Sequence, residues 1–515
     1  MLVLMPAAAA LLTALMRLAL KRLALKRLAL GAAALSAARA TQTLLTFLAL
    51  PLLARLLDPS EFGLVALATS FVLFTMAFSD AGMGQSLVRT PREQTEVWSS
   101  AFWMIAALSG CLSILLLGIA WPAAWAFDEP RLAALVCALA PLPLIQGMLA
   151  PAIADLQQRE KFMLLAAAEV SGAVAGAVAA IWVALSGGGA WALIAQQLAL
   201  WSAKAIVLVC TTKFRPRFQV RLAGLEPHFR FGRDTAGWSL VNFFARQIDP
   251  LAIAKFLGTT ALGFYSIAYR LMSLPGFLVS GPIQSTLYTR MVRLQHDLPA
   301  LKGLVLIASR AMASFVFPPM AVLCVASPAF IEIFLSERWA PAALLFSILA
   351  PIGALQAVTA LNGALLMATG RTDLRLRLTL EFTLIWVATA PLLAMINLTA
   401  VAIGYAVVFL AYLPRTLQLF LRPINASIRE YFVAISVPLL VAGGLMLAHL
   451  AAKAVLPLSP WAEIALAVSE VLIGYGLTAW ILRGRLRDDL KTIRRLFSTI
   501  APAQPGPDPS VTLQK

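Results

Sequence analysis

Four arginines stand inside stretches that are otherwise apolar: Arg39, Arg246, Arg270 and Arg310. An ionised group in hydrocarbon is expensive, so such residues usually face a bundle interior or a watered cavity and mark a substrate path. Hydrogen-bonding side chains keep them company. Thr41, Gln42 and Thr43 follow Arg39, Asn242 and Gln247 flank Arg246, and Ser280 and Gln284 lie further along from Arg270. A guanidinium binds phosphate oxygens through a planar two-pronged fork. Arg39, Gln42, Asn242, Arg246, Arg270, Gln284 and Arg310 therefore read as candidate ligands of an anionic head group. The competing reading is polar glue between helices, at about 1 kcal/mol per contact.

Other ionisable residues sit at similar depth: Asp80, Glu169, Lys204, Asp249, Glu381 and Glu470. Glu169 and Glu381 are expected to pair with neighbouring helices, whereas Lys204, Asp249 and Glu470 lie near span ends and can reach an interface. Catalytic chemistry finds no foothold. The chain has no Gly-x-x-x-x-Gly-Lys, no Asp-x-Asp and no His-Glu-x-x-His, and no cofactor or metal is expected. His228, His296 and His449 are far apart and read as surface or packing residues. Cys111, Cys137, Cys210 and Cys324 all fall in apolar segments and read as buried, inert thiols.

The elements that must hold these residues are membrane helices. Apolar residues make up 61% of 515 positions and charged residues 13%, against about 25% charged in a soluble domain. Fourteen apolar stretches, from 33–54 to 461–482, are candidate spans and predict an all-α polytopic membrane protein. Of the 41 Lys and Arg, only Arg55, Arg131, Lys255, Arg338 and Lys453 fall on the loops opposite the termini. That asymmetry puts both termini in the cytoplasm, and it places the net charge of +17 on membrane-flanking loops rather than on a nucleic-acid surface. The repeat MRLALKRLALKRLALG spirals its charges around a helix and reads as a basic segment beside anionic lipid. Gly172-x-x-x-Gly176 is a helix-packing signal.

The chain is duplicated. Arg55–Phe71 aligns without a gap on Lys255–Leu271, bringing Gly63 onto Gly263 and Ala68 onto Ala268, and Pro141, Gln146 and Ala150 match Pro351, Gln356 and Ala360. Joined repeats usually meet across a substrate site. The expected division is a basic segment (1–30), a first lobe of six helices (31–211), a connector (212–229), a second six-helix lobe (230–425), two appended helices (426–485) and a cytoplasmic tail (486–515) that is polar and proline-rich from Ala501 on.

The runs LARLLDPSEFGLVALATSF and AFSDAGMGQSLVR, with the later FARQIDPLAIAKFLGTTALGFYSIAYRLMSLP and LSERWAPAALLFSILAP, resemble the polysaccharide-exporter branch of the multidrug/oligosaccharidyl-lipid/polysaccharide flippase superfamily. The resemblance covers roughly residues 30–425. It implies a flippase of the bacterial inner membrane that moves a polyprenyl-diphosphate-linked oligosaccharide by alternating access, working beside membrane lipids, a polysaccharide polymerase and export machinery. It also implies that the two appended helices can form a lipid-facing groove. Asp80, Gln85 and Asp249 are candidates for gating or ion coupling. A cation-coupled multidrug exporter is the alternative, and it would favour an acidic or aromatic cavity over deep arginines. A membrane-embedded polymerase would carry a large external catalytic loop, and the external loops here are short.

Overall fold

The computed structural model describes residues 31, 34–79, 83–88, 90–91, 94–218 and 226–498, and their regular structure is helical throughout. The basic N-terminal segment, Asp80, residues 219–225 of the connector, the end of the tail and the side chain of Gln85 lie outside what is described. The first group of helices comprises α1 (Ala34–Leu56), α2 (Pro59–Met76), the short α3 (Met83–Leu87), α4 (Thr95–Ala126), α5 (Pro130–Leu139), α6 (Pro141–Gln158), α7 (Phe162–Leu185) and α8 (Trp191–Thr211). The second comprises α9 (Glu226–Pro275), α10 (Gly281–Arg293), α11 (Leu298–Val325), α12 (Ser327–Phe334), α13 (Ala340–Thr359), α14 (Leu361–Ala368), α15 (Thr372–Ala394) and α16 (Leu398–Leu421). Helices α17 (Ile428–Val455) and α18 (Pro460–Ser498) follow.

Among the described residues, thirteen helical stretches are long and apolar enough to cross a bilayer. The stretch Ser239–Arg293 has 55 residues. Straight, it would reach about 80 Å against a hydrocarbon core of about 30 Å. It turns at Gly258, whose φ of 84° and ψ of 174° leave the helical region. That stretch is thus two crossings, and the fourteen expected spans are accommodated.

Local chemistry sets the helix starts. Pro59 occupies the first turn of α2, where its missing N–H costs nothing, and the Glu61 carboxylate reaches back to the Asp58 N–H. Asn397 and Asp297 cap α16 and α11 through their side-chain oxygens, and Ser427 with Glu430 forms a capping box on α17. Gly172 and Gly176 lie on the backbone of α8 at Leu200 and Gln196, so the small-residue pair is a close helix contact.

Helix α9 joins the two groups, packing along α2 and α3 on one side and α13, α15 and α16 on the other. Its contact with α2 is reciprocal. A Cβ at Gly63 would strike the Thr259 carbonyl, and one at Gly263 would strike the Pro59 carbonyl. Position for position, these are the same contact read from either repeat, as expected at a two-fold axis. Further down, Ser70 donates to Gln247 at 2.8 Å and the rings of Phe74 and Phe243 meet at 5.0 Å.

Around that axis the helix ends of both repeats are clasped. Arg55 donates to the Ile333 carbonyl, and Lys255, its counterpart, donates to the Ala126 carbonyl at 2.5 Å. Arg338 pairs with Asp58 at 3.0 Å, Arg131 with Glu61 at 3.6 Å, and Thr259 donates to Glu129 at 2.8 Å. Beneath them Trp339 is fully buried, donates to the Ala54 carbonyl at 2.7 Å and stacks edge-on against Phe62 and Phe264. At this same end Trp121, Trp125, Trp182, Trp191 and Trp461 point outward, Trp125 with 84% exposure. Such a ring of indoles marks a membrane–water interface. Cys111 and Cys210 are also exposed, correcting the expectation of buried thiols: apolar residues on a lipid-facing surface need no protein cover.

Candidate functional site

A cavity of about 490 Å³ opens within the second helix group, and much of its wall is polar. Asn242 and Arg246 reach it from the first crossing of α9, Tyr269 and Ser273 from the second, Gln284 from α10, Gln356 from α13 and Arg375 from α15. Arg246 is exposed to the cavity, its Nε donating to Asn242 Oδ1 at 3.3 Å one turn earlier. The site offers guanidinium and carboxamide donors in one hollow, the chemistry of oxyanion binding.

A second chamber of about 310 Å³ adjoins it. Ala245, Gln356, Arg375, Thr379 and Tyr405 border both. Gln356 Nε2 donates to the Tyr405 hydroxyl at 2.7 Å, which fixes both side chains at the junction.

Behind the junction lies Asp249, 3% exposed, accepting from the Tyr265 hydroxyl at 2.5 Å. The aromatic stack Trp386–Tyr405–Tyr269 encloses the region, with centroids at 5.0 and 6.3 Å. Asp249 thus sits in the protein interior and not at the interface expected from its place near a span end, because the turn at Gly258 folds the second crossing of α9 against it.

Of the candidate ligands, Asn242, Arg246 and Gln284 come together on this cavity. The others stand apart. Arg39 lies on α1, 63% exposed, 3.8 Å from Glu169, and Gln42 is half-buried one turn on. Arg270 is exposed on α9 on the face that carries Gly263. Arg310 pairs with Asp489 at 2.5 Å and donates to the Ala434 carbonyl, tying α11 to α17 and α18. Two acids pair across neighbouring helices in matching places: Glu169 with Lys204 at 2.7 Å between α7 and α8, and Glu381 with Arg415 at 2.8 Å between α15 and α16. Lys204 is 12% exposed and so does not reach an interface.

Sequence reasoning missed Gln356 as a wall residue, along with Arg375, Thr379 and Tyr405. A signal existed for part of this set. Arg375, Thr379 and Thr383 recur every fourth residue and so form one polar stripe on α15.

Residues 52–344 match the sequence profile of the family described as polysaccharide biosynthesis protein. The chain belongs to that family. It is 29% identical over 297 residues to the succinoglycan biosynthesis transport protein ExoT of Rhizobium meliloti (strain 1021), an alignment that spans 58% of this chain but only 60% of ExoT. It is 21% identical over 392 residues to the lipopolysaccharide biosynthesis protein WzxC of Escherichia coli (strain K12), covering 75% and 79% of the two chains. Among solved structures it is similar to the lipid II flippase MurJ in an inward closed conformation, with a TM-score of 0.69 at 13% identity over 88% of this chain and 99% of MurJ. That likeness concerns the fold, a polytopic helical membrane bundle.

Proposed function

We propose that this family member is a flippase that carries a polyprenyl-diphosphate-linked oligosaccharide across the cytoplasmic membrane for surface polysaccharide synthesis. It is read as a transporter and not an enzyme, in keeping with the printed names of ExoT and MurJ. The observation that carries the reading is the donor-lined cavity at Asn242, Arg246, Gln284 and Arg375 within a bundle clasped at one end. Arginine holds a diphosphate as a fork, and a clasp that opens while the far end closes is what alternating access requires.

In this reading both termini are cytoplasmic and the clasped end faces the periplasm. Asp249, buried against Tyr265 beside the cavity, is the coupling group. Arg39, Gln42 and Arg270 guide the head group along its route between the repeats, and Asp80 and Gln85 serve gating. The apolar groove of about 510 Å³ between α11 and α18, walled by Ile307, Phe315, Tyr475 and Leu482, receives the lipid chain, with Arg310 at its end. The protein works beside a polymerase and export machinery.

Deleting the gene tests this directly. Lipid-linked oligosaccharide should accumulate and surface polysaccharide should fall, and complementation by Arg246→Ala at matched expression should restore neither. Arg246→Lys should recover part of the lost transport, because it keeps charge but loses the second parallel hydrogen bond. An unchanged lipid-linked pool in the deletion strain would sink the proposal.

A further inference from the structure

The two adjoining chambers differ in which partner of a hydrogen bond they lack. In the smaller one, each threonine hydroxyl on the wall already donates its proton to the helix. Thr359 donates to the Leu355 carbonyl at 2.9 Å, Thr379 to Arg375 at 3.0 Å, Thr383 to Thr379 at 2.7 Å and Thr416 to Tyr412 at 3.2 Å. The Tyr412 hydroxyl donates to Glu381 at 2.8 Å. A hydroxyl has one proton and two lone pairs, so what these groups still present is acceptor capacity. Asn362 adds a buried amide oxygen with no partner among the described residues, one of few such atoms. Phe382 and Phe409 supply flat apolar faces in the same wall.

Away from the Arg375 guanidinium that borders both chambers, such a lining gives an anion, which brings only further acceptors, little to pair with, and it suits a neutral polyol rich in O–H donors. The larger chamber adds donors, with the Arg246 guanidinium and the carboxamide N–H groups of Asn242 and Gln284 on its wall. Gln356, Arg375 and Tyr405 stand where the two meet. A volume of about 310 Å³ is at the small end of the range for ligand sites. It has room for a sugar ring rather than an oligosaccharide.

We infer that the chamber between α13, α14, α15 and α16 is a neutral-sugar subsite, which binds a pyranose ring joined to a diphosphate held in the larger cavity. The inference rests on the flippase reading and adds a place where that substrate's sugar is recognised. Recognition by acceptors makes the subsite selective for rings with free hydroxyls at the buried edge, while the diphosphate contact is common to every glycosylated carrier lipid.

The test uses full-length protein in lipid nanodiscs and two probes: labelled undecaprenyl diphosphate without sugar, and, as unlabelled competitor, the lipid-linked saccharide fraction extracted from a strain lacking the gene. The wild type should bind the bare carrier, and the glycosylated fraction should displace it at lower lipid phosphate than the bare carrier does. Thr383→Val with Thr416→Val keeps shape and removes two acceptors. It should bind the bare carrier normally and lose about tenfold of the preference for the glycosylated fraction, the loss expected for two neutral hydrogen bonds. Serine at the same two positions should restore the preference. An undiminished preference in the valine variant, a wild type without preference, or an equal loss for both probes overturns the subsite while leaving the flippase reading standing. A wild type that binds neither probe overturns both.

Discussion

His449 is fully buried, with Nδ1 2.6 Å from Glu470 and Nε2 3.5 Å from Glu463, and Glu463 also receives Lys453 at 2.8 Å. The histidine takes the packing side of the surface-or-packing role expected of it, whereas Glu470 is buried and does not reach the interface expected of it. Both belong to a network that fastens α17 to α18 near the clasped end. Removing one member of a buried ionic network leaves its partner uncompensated, at a cost of about 3–5 kcal/mol. His449→Ala should therefore lower the unfolding stability of the detergent-solubilised protein by that order. His449→Leu combined with Glu470→Leu should cost much less than either change alone, because the unpaired charge goes with its partner. A double variant as unstable as the summed singles would count against the network. Twenty-one residues separate these two side chains, and only the register of the α17–α18 hairpin brings them into contact.

At the scale of an element, α9 matters most. It supplies Asn242 and Arg246 on one crossing and Tyr269 and Ser273 on the next, so the shape of the candidate site depends on the angle at Gly258. A φ of 84° with ψ of 174° is a conformation essentially reserved for glycine. Gly258→Ala is expected to cost about 1–3 kcal/mol, read as a fall in thermal stability, although nothing lies within 4 Å of the new Cβ. A change without effect on stability would mean that the turn is not strained for an L residue. On α15, by contrast, the polar stripe Arg375, Thr379 and Thr383 was legible from spacing alone. Its significance was not, because four-residue spacing says which residues share a face and not what that face meets.

For the whole molecule, the clasp closes one end of the bundle through contacts that repeat about a two-fold axis. In the alternating access proposed above, the helices that meet at Gly63 and Gly263 would rock about that close approach, and the polar pairs outside it would separate. Asp58→Cys combined with Arg338→Cys, in a background whose native cysteines are alanine, should be joined by a bis-methanethiosulfonate reagent that spans the gap left by the ion pair. Export of surface polysaccharide should then stop and should return on reduction. Full export from fully cross-linked protein would show that this end does not need to open.

The sequence by itself determined the membrane class, the helical content, the duplication and the family resemblance. These rest on local apolar length, on where lysine and arginine fall, and on residue-by-residue self-similarity, all of which are properties of short windows. It also singled out Asn242, Arg246 and Gln284, since a polar side chain in a hydrocarbon span stands out wherever it points. The tertiary structure alone decided that these three share a hollow with Gln356, Arg375 and Tyr405, that Arg39 and Arg310 face carboxylates elsewhere, and that Asp249 is interior. In a helix that is apolar all round, periodicity does not separate the face toward lipid from the face toward protein. Only the packing of one helix on another makes that assignment.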